Sequence, residues 1–197
     1  MKPILIFTFS VILAITASAQ LKGTLTDARD GKVYKTKQYG NQWWMTQNLA
    51  FKADSGCWAY NDNEEIAESY GYLYDWETAN IACPEGWHLP SNGEWSELIA
   101  YLGGKEKAGG KMKRSGTKLW RSPNVAATNS SGFSAMPGGS RYGAGYTDMH
   151  ELGLFWTSTL KYDTFAVFWY LDHNSGMIKD DTYAVWHGLS IRCVEDR

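Results

Sequence analysis

Cys83-Pro84-Glu85-Gly86-Trp87-His88-Leu89-Pro90-Ser91-Asn92-Gly93-Glu94-Trp95 is the stretch whose reading decides the fold, because it joins a candidate disulfide, a rigid turn and a helix start. Ser91 is a good N-cap and Glu94 follows at the capping-box spacing, in which each side chain satisfies a backbone N–H at the first turn of a helix. Pro90 cannot extend that helix backwards. Beyond the cap, Trp95, Leu98, Ile99 and Leu102 fall at i, i+3, i+4 and i+7, one apolar stripe on a helix that Gly103-Gly104 ends. The core is expected to form against that stripe.

Toward the N-terminus, Lys2 precedes an unbroken run of apolar and small residues from Ile4 to Ala17, closed by Ala17-Ser18-Ala19. These are the three regions of a secretory signal peptide over residues 1–19, with cleavage before Gln20. No other apolar segment approaches the ~20 residues of a membrane-spanning helix, so no transmembrane segment is expected after cleavage. Position 20 is Gln and not Cys, so no lipid-attachment site is read there. The 197 residues are 44% hydrophobic, enough for one core and one domain over 20–197. A formal net charge of −2 argues against a nucleic-acid partner, which wants a basic face. The nearest approach to one, Lys105-Glu106-Lys107 with Lys111, Lys113 and Arg114, is interrupted by glycines and reads as a solvated loop.

A working signal peptide delivers Cys57, Cys83 and Cys193 to an oxidising compartment, where one must be left over. Three pairings are possible and the sequence does not choose between them. Cys83–Cys193 is favoured because it would tie the start of the central helix to the last strand, Leu189-Ser190-Ile191-Arg192-Cys193-Val194. Cys57 has Gly56, Trp58 and Ala59 as neighbours, which supply neither the base nor the positive charge of a reactive thiol. The wide cysteine spacing does not suit a structural zinc site.

Val33 to Tyr39 alternates large apolar groups with Lys and Thr, and Gly40-Asn41 turns it into Trp43-Trp44-Met45 as a β-hairpin. Cys57 to Glu65 mixes aromatics with oxygen ligands, but without the loop order and Gly of an EF-hand it reads as an exposed polar turn and not a calcium site. Tyr70 to Tyr74 reads as an aromatic strand, and Asp75 caps a short helix through Ala79. Gly103 to Ser131 reads as long surface loops, and Phe133 to Arg141 as a short strand followed by a Gly-Gly turn. Those glycines lack the Lys-Ser/Thr and the helix of a phosphate cradle. Phe155 to Thr159 and Thr164 to Asp172 are strands, the second apolar on both faces and so covered on two sides. The sum is an α+β domain of two short helices, twisted antiparallel strands and long loops.

Taken together, Asp30 to Tyr34, Gly40 to Met45 with Asn48-Leu49, Tyr70 to Tyr74, Cys83 to Trp95, Gly132-Phe133-Ser134 with Pro137-Gly138-Gly139, and Leu189 to Val194 resemble, in order, the Fibrobacter succinogenes major paralogous domain family. The resemblance implies a C-type lectin-like fold in secreted or surface bacterial proteins, and that fold's habit of linking its helical region to its last strand agrees with Cys83–Cys193. Cys57 departs from the pattern, since the partner cysteine many members carry falls near Ala67 here. Sugar-binding C-type lectins hold calcium through a Glu-Pro-Asn or Gln-Pro-Asp triplet and a Trp-Asn-Asp triplet. The nearest match here is Ser122-Pro123-Asn124, so no metal or other cofactor is expected. Leu89 to Trp95 is also similar to a motif of formylglycine-generating oxidases, but those need a reactive cysteine pair late in the chain, where only Cys193 stands.

The expectation is a non-catalytic binding module, secreted, periplasmic or on the outer surface of a bacterium, that recognises a glycan or a protein. Its candidate ligand-binding residues are Tyr162, Asp163, Asp172, His173, Asn174, Tyr183, Trp186 and His187, concentrated between the strand at Phe155 and the last strand. Tyr and Trp offer contact area at small entropy cost, and Asp and Asn add adaptable hydrogen bonding. C-type lectin-like variable proteins of retroelement diversification systems display binding residues on a similar C-terminal stretch. The alternatives are a structural or adhesive envelope component and, less well supported, an oxidase relative.

Overall fold

The computed structural model describes residues 21–197, so the leader expected over 1–19 lies outside the described residues. Strand β1 (Lys22–Thr26) is followed by the hairpin of β2 (Val33–Tyr39) and β3 (Gln42–Met45), turned where Gly40 takes a φ of 60°. Strand β4 (Cys57–Trp58), a 3-10 turn at Tyr60–Asp62, helix α1 (Glu64–Tyr70) and strand β5 (Leu73–Tyr74) lead to helix α2 (Trp76–Ala82). Strand β6 (Trp87–His88) and helices α3 (Asn92–Tyr101) and α4 (Lys105–Met112) complete this half. The remainder is β7 (Gly138–Tyr142), β8 (Gly145–Met149), β9 (Leu152–Tyr162), β10 (Phe165–Asp172), β11 (Ile178–Ala184) and β12 (Val194–Glu195).

The strands form two five-stranded sheets, β1-β2-β3-β12-β6 and β11-β10-β9-β7-β8, with β4 and β5 pairing as a small third one. Nearly all pairings are antiparallel and the four helices of the described residues all fall between β4 and β7, which is an α+β arrangement. Helix α3 is built as its sequence dictates: the Ser91–Glu94 capping box is closed from both sides, and Trp95, Leu98, Ile99 and Leu102 are all buried. Burying each of those aliphatic side chains is worth about 1.5–3 kcal/mol. Trp95 meets Trp44 edge-on at 5.0 Å, and Phe133 and Phe155 complete the cluster. Cys83 and Cys193 are disulfide-bonded, joining the chain just after α2 to the approach to β12. Asp75 caps α2 by accepting the Thr78 N–H at 2.8 Å.

Several expectations are corrected. Four short α-helices stand among the described residues where two were expected. The polar turn expected over Cys57 to Glu65 is present at Tyr60–Asp62, but Cys57–Trp58 is β4 and Glu64 starts α1, which Asn63 caps by accepting from Glu65 N and which ends at Tyr70, a residue expected in a strand. The supposed loop from Lys105 is α4, although glycine costs about 1 kcal/mol per residue in a helix interior. Packing overrides propensity: a Cβ on Gly109 would lie 2.4 Å from Met177 O, and one on Gly110 2.5 Å from Ala126 O. The strand placed at Phe133 starts only at Gly138, and Leu189 and Ser190 make isolated bridges while β12 begins at Val194.

Buried cations, not carboxylates, hold the long loops. Lys113, fully buried, donates to Val125 O, Asp172 O and Ser175 O at 2.9, 2.8 and 2.7 Å; burial pulls it down to about 8. Arg192, also fully buried, donates from Nε to Asn48 Oδ1 at 3.0 Å, from Nη2 to Ser134 O at 3.0 Å and from Nη1 to Phe133 O. Its guanidinium lies 4.2 Å from the Phe133 ring centre, and burial lowers its pKa to about 9, so it is charged at neutral pH.

Candidate functional site

The structure divides the sequence-derived candidates between the two ends of β10. Tyr162 and Asp163 are exposed in the β9–β10 turn, and exposed Trp186 follows Val185, whose amide donates to Thr164 O at 3.0 Å at that same end. Asp172, His173 and Asn174 make the turn from β10 to β11, roughly 25 Å away at the rise of a strand. That second group is spent on the turn itself. Asp172 Oδ1 accepts from Asn174 N at 2.7 Å, and His173 is buried with Nδ1 3.2 Å from Ser122 O. No contiguous surface contains all the candidates.

Two of them, Tyr183 and His187, do enter a built face. Phe168 and Tyr183 stack with centroids 4.4 Å apart, Tyr183 and His187 at 4.6 Å, and His187 and Tyr142 at 4.8 Å, so four rings run from the core to an exposed tyrosine. Tyr142 is 62% exposed at the outer end. The topology explains the meeting: Arg141 of β7 and Gly188 exchange both backbone hydrogen bonds at 2.9 Å, drawing the segment after β11 against β7. Glycine at 188 permits this close approach, since a Cβ there would stand 3.0 Å from Arg141 Cβ and 3.3 Å from the Trp58 ring.

Arg141 anchors a second cluster, on the other side of β7. Its guanidinium lies 4.0 Å over Trp58 and 5.8 Å from Tyr146, and Tyr146 in turn packs on Tyr60 at 5.1 Å. Burial raises the pKa of the Tyr146 phenol, as does the hydrogen bond its hydroxyl donates to Asp62 Oδ1 at 2.6 Å. The β7–β8 hairpin turns at Gly143, φ 57°, and pairs Arg141 with Tyr146, so these two share one side of the hairpin and Tyr142 stands on the other. Burial lowers His187, and its Nδ1 lies 3.0 Å from Ala184 O, so the ring is neutral at pH 7 with its proton on Nδ1. The two sides of β7 thus offer stacked rings with an exposed hydroxyl on one and a stacked cation on the other. Trp58, Tyr60, Arg141, Tyr142 and Tyr146 were not among the sequence candidates; the signal was the aromatic pair bracketing Gly143 in Arg141-Tyr142-Gly143-Ala144-Gly145-Tyr146.

Burial raises the Cys57 thiol, and its sulfur donates to Ala53 O at 3.4 Å, so it is no thiolate at neutral pH. Among the described residues no three His, Cys, Asp or Glu side chains are grouped to hold a metal ion, and no helix is long and apolar enough to cross a membrane.

Neither the curated proteins nor the solved structures give a match to this chain. A family model does match, over residues 38–195, which takes in β3 through β12 and every residue of the aromatic face. The chain belongs to the Fibrobacter succinogenes major domain family.

Proposed function

We propose that this chain is a bacterial recognition domain, secreted or displayed at the cell surface, that binds a glycan without chemically altering it. The observation that carries the proposal is the ring stack ending at exposed Tyr142, with the Arg141 guanidinium of the same strand held against Trp58 and Tyr146 on the other side. Rings fixed by stacking lose little entropy when a ligand settles on them, and a stacked guanidinium keeps N–H groups for a ligand oxygen. A C-type lectin-like fold is part of the proposal, supported by the tie from the helical region to the last strand and by antiparallel sheets with long loops. Export is supported by the leader pattern of residues 1–19 and by the disulfide. The engagement of Cys193 in that disulfide supports a non-catalytic role.

The test is a glycan array probed with the secreted form of the protein, its Tyr142→Ala and Trp58→Ala variants, and a parallel pull-down for protein ligands. Binding to a glycan family that each substitution weakens about tenfold supports the reading. A blank array with a specific protein captured through the same face makes the ligand a protein. Blank results in both, with self-association in sedimentation, replace it with the structural envelope component.

A further inference from the structure

A groove of about 600 Å³ lies elsewhere, between the β2–β3 hairpin, the C-terminal end of α1 and the loops around Arg114 and Ser134, and it shares no residue with the aromatic face. That volume is within the range of small-molecule sites, roughly 300–1,000 Å³, and far beyond what an inorganic ion fills. Its charge runs against that of the chain: Lys32, Lys35 and Arg114 line it with Glu68 as the single acid, in a protein of net charge −2. Lys32 is engaged, donating to Ala50 O and lying 3.4 Å from Asp30. Lys35 and Arg114 are exposed and have no carboxylate partner among the described residues, and the Arg114 side chain reaches only Met136 Sδ at 4.0 Å. Elsewhere Arg29, Lys52, Lys105, Arg121 and Arg197 each hold an Asp or Glu.

Hydrogen bonds also tie the walls of the groove together. Asn48 in its lining donates to Tyr70 O at 2.8 Å and accepts from Arg192, which holds the opposite wall through Ser134 O. In that wall Asn129 and Ser134 sit at φ of 51° and 55°, locked by reciprocal bonds of 2.9 Å. Left-handed non-glycine residues held by surrounding structure cluster at ligand clamps. The Gln47 carboxamide oxygen is taken by Lys35 N at 2.8 Å, which leaves its amide N–H groups for ring hydroxyls.

We propose that this groove is a second binding site, for an acidic oligosaccharide whose carboxylate or sulfate is bound by Lys35 and Arg114. The site stands independently of the aromatic face. The test is isothermal titration calorimetry at low ionic strength on the whole folded protein, with tetragalacturonate as the carboxylated probe, a sulfated chondroitin disaccharide as the sulfated one and cellotetraose as the neutral one. At least one acidic probe is expected to bind, which also identifies the acidic group. The paired substitution Lys35→Gln, Arg114→Gln is expected to weaken it at least about tenfold. Tyr142→Ala and the equally neutralising pair Lys161→Gln, Lys179→Gln are expected to leave it unchanged. All these positions are exposed, and matching thermal melts verify folding. Failure of both acidic probes to bind overturns the proposal. So does equal binding by the Lys35, Arg114 pair variant, equal weakening by the control pair, or neutral cellotetraose competing for the same site. Acidic-probe binding sensitive only to Tyr142→Ala overturns the groove and leaves the aromatic face intact.

Discussion

Replacing Arg192 tests how the loops are held. Arg192→Met strands three buried acceptors, Asn48 Oδ1, Phe133 O and Ser134 O. Each costs about 1–3 kcal/mol when left unpaired, while removing an uncompensated buried cation returns part of that sum, so the net loss is about 3 kcal/mol. For a chain of this size that lowers Tm by about 6–12 °C. Arg192→Lys is the sharper comparison. It keeps the buried charge, but a single ammonium does not span the fork that reaches two successive carbonyls and an amide. The lysine variant should therefore be no more stable than the methionine variant, the reverse of what charge conservation suggests. Urea unfolding followed by tryptophan fluorescence measures both. A lysine variant within about 0.5 kcal/mol of the parent would refute the reasoning, because the positive charge alone would then hold the loop.

Opening the clasp with Cys193→Ala frees a closed segment spanning a sequence separation of 110, worth about 5 kcal/mol in the chain-entropy account, and denaturant midpoints of the oxidised parent and the variant read it. Gly109→Ala improves helix propensity by about 1 kcal/mol, yet its methyl meets Met177 O, so thermal melts should show a net loss of about 2 kcal/mol. For His88, burial lowers the pKa but is outweighed by hydrogen bonds to Asp196 at 2.5 Å and Glu94 at 3.0 Å, so the folded value stands above 6.5. The stabilisation is complete below pH 6.5 and is lost as pH rises through the folded value; a Tm series from pH 5.5 to 8 should slope downward, and His88→Gln should flatten it.

What the sequence carries in local signals was readable, and what tertiary contact decides was not. The Ser91–Glu94 box, the Trp95 to Leu102 stripe and the doubly apolar β10 follow from spacing alone, and the structure has each of them. Helix α4 was hidden because Gly109 and Gly110 look like breakers until Met177 and Ala126 are seen pressing on them. Strand β11, with Lys179, Asp180 and Asp181 on a sheet edge, lacks the apolar alternation that marks a half-buried strand. At the candidate site, Tyr183 and His187 were found by the concentration of aromatics near the C-terminus. Arg141, Trp58 and Tyr146 escaped because they arrive from β7, β4 and β8, joined by the β7–β8 pairing and the Arg141–Gly188 bridge. The division of the other candidates between the ends of β10 likewise depends on strand pairing that residue types do not state.

The central claim is that ligand settles on the rings around Arg141. Side-chain NMR of aromatic and indole resonances, recorded while titrating the neutral glycan that scores highest on the array, tests it most directly. The account predicts shifts confined to Trp58, Tyr60, Tyr142, Tyr146, Tyr183 and His187, with the Asp172–Asn174 turn unmoved. Shifts centred on that turn, or on the exposed Tyr162 and Trp186 with Tyr142 silent, would contradict it.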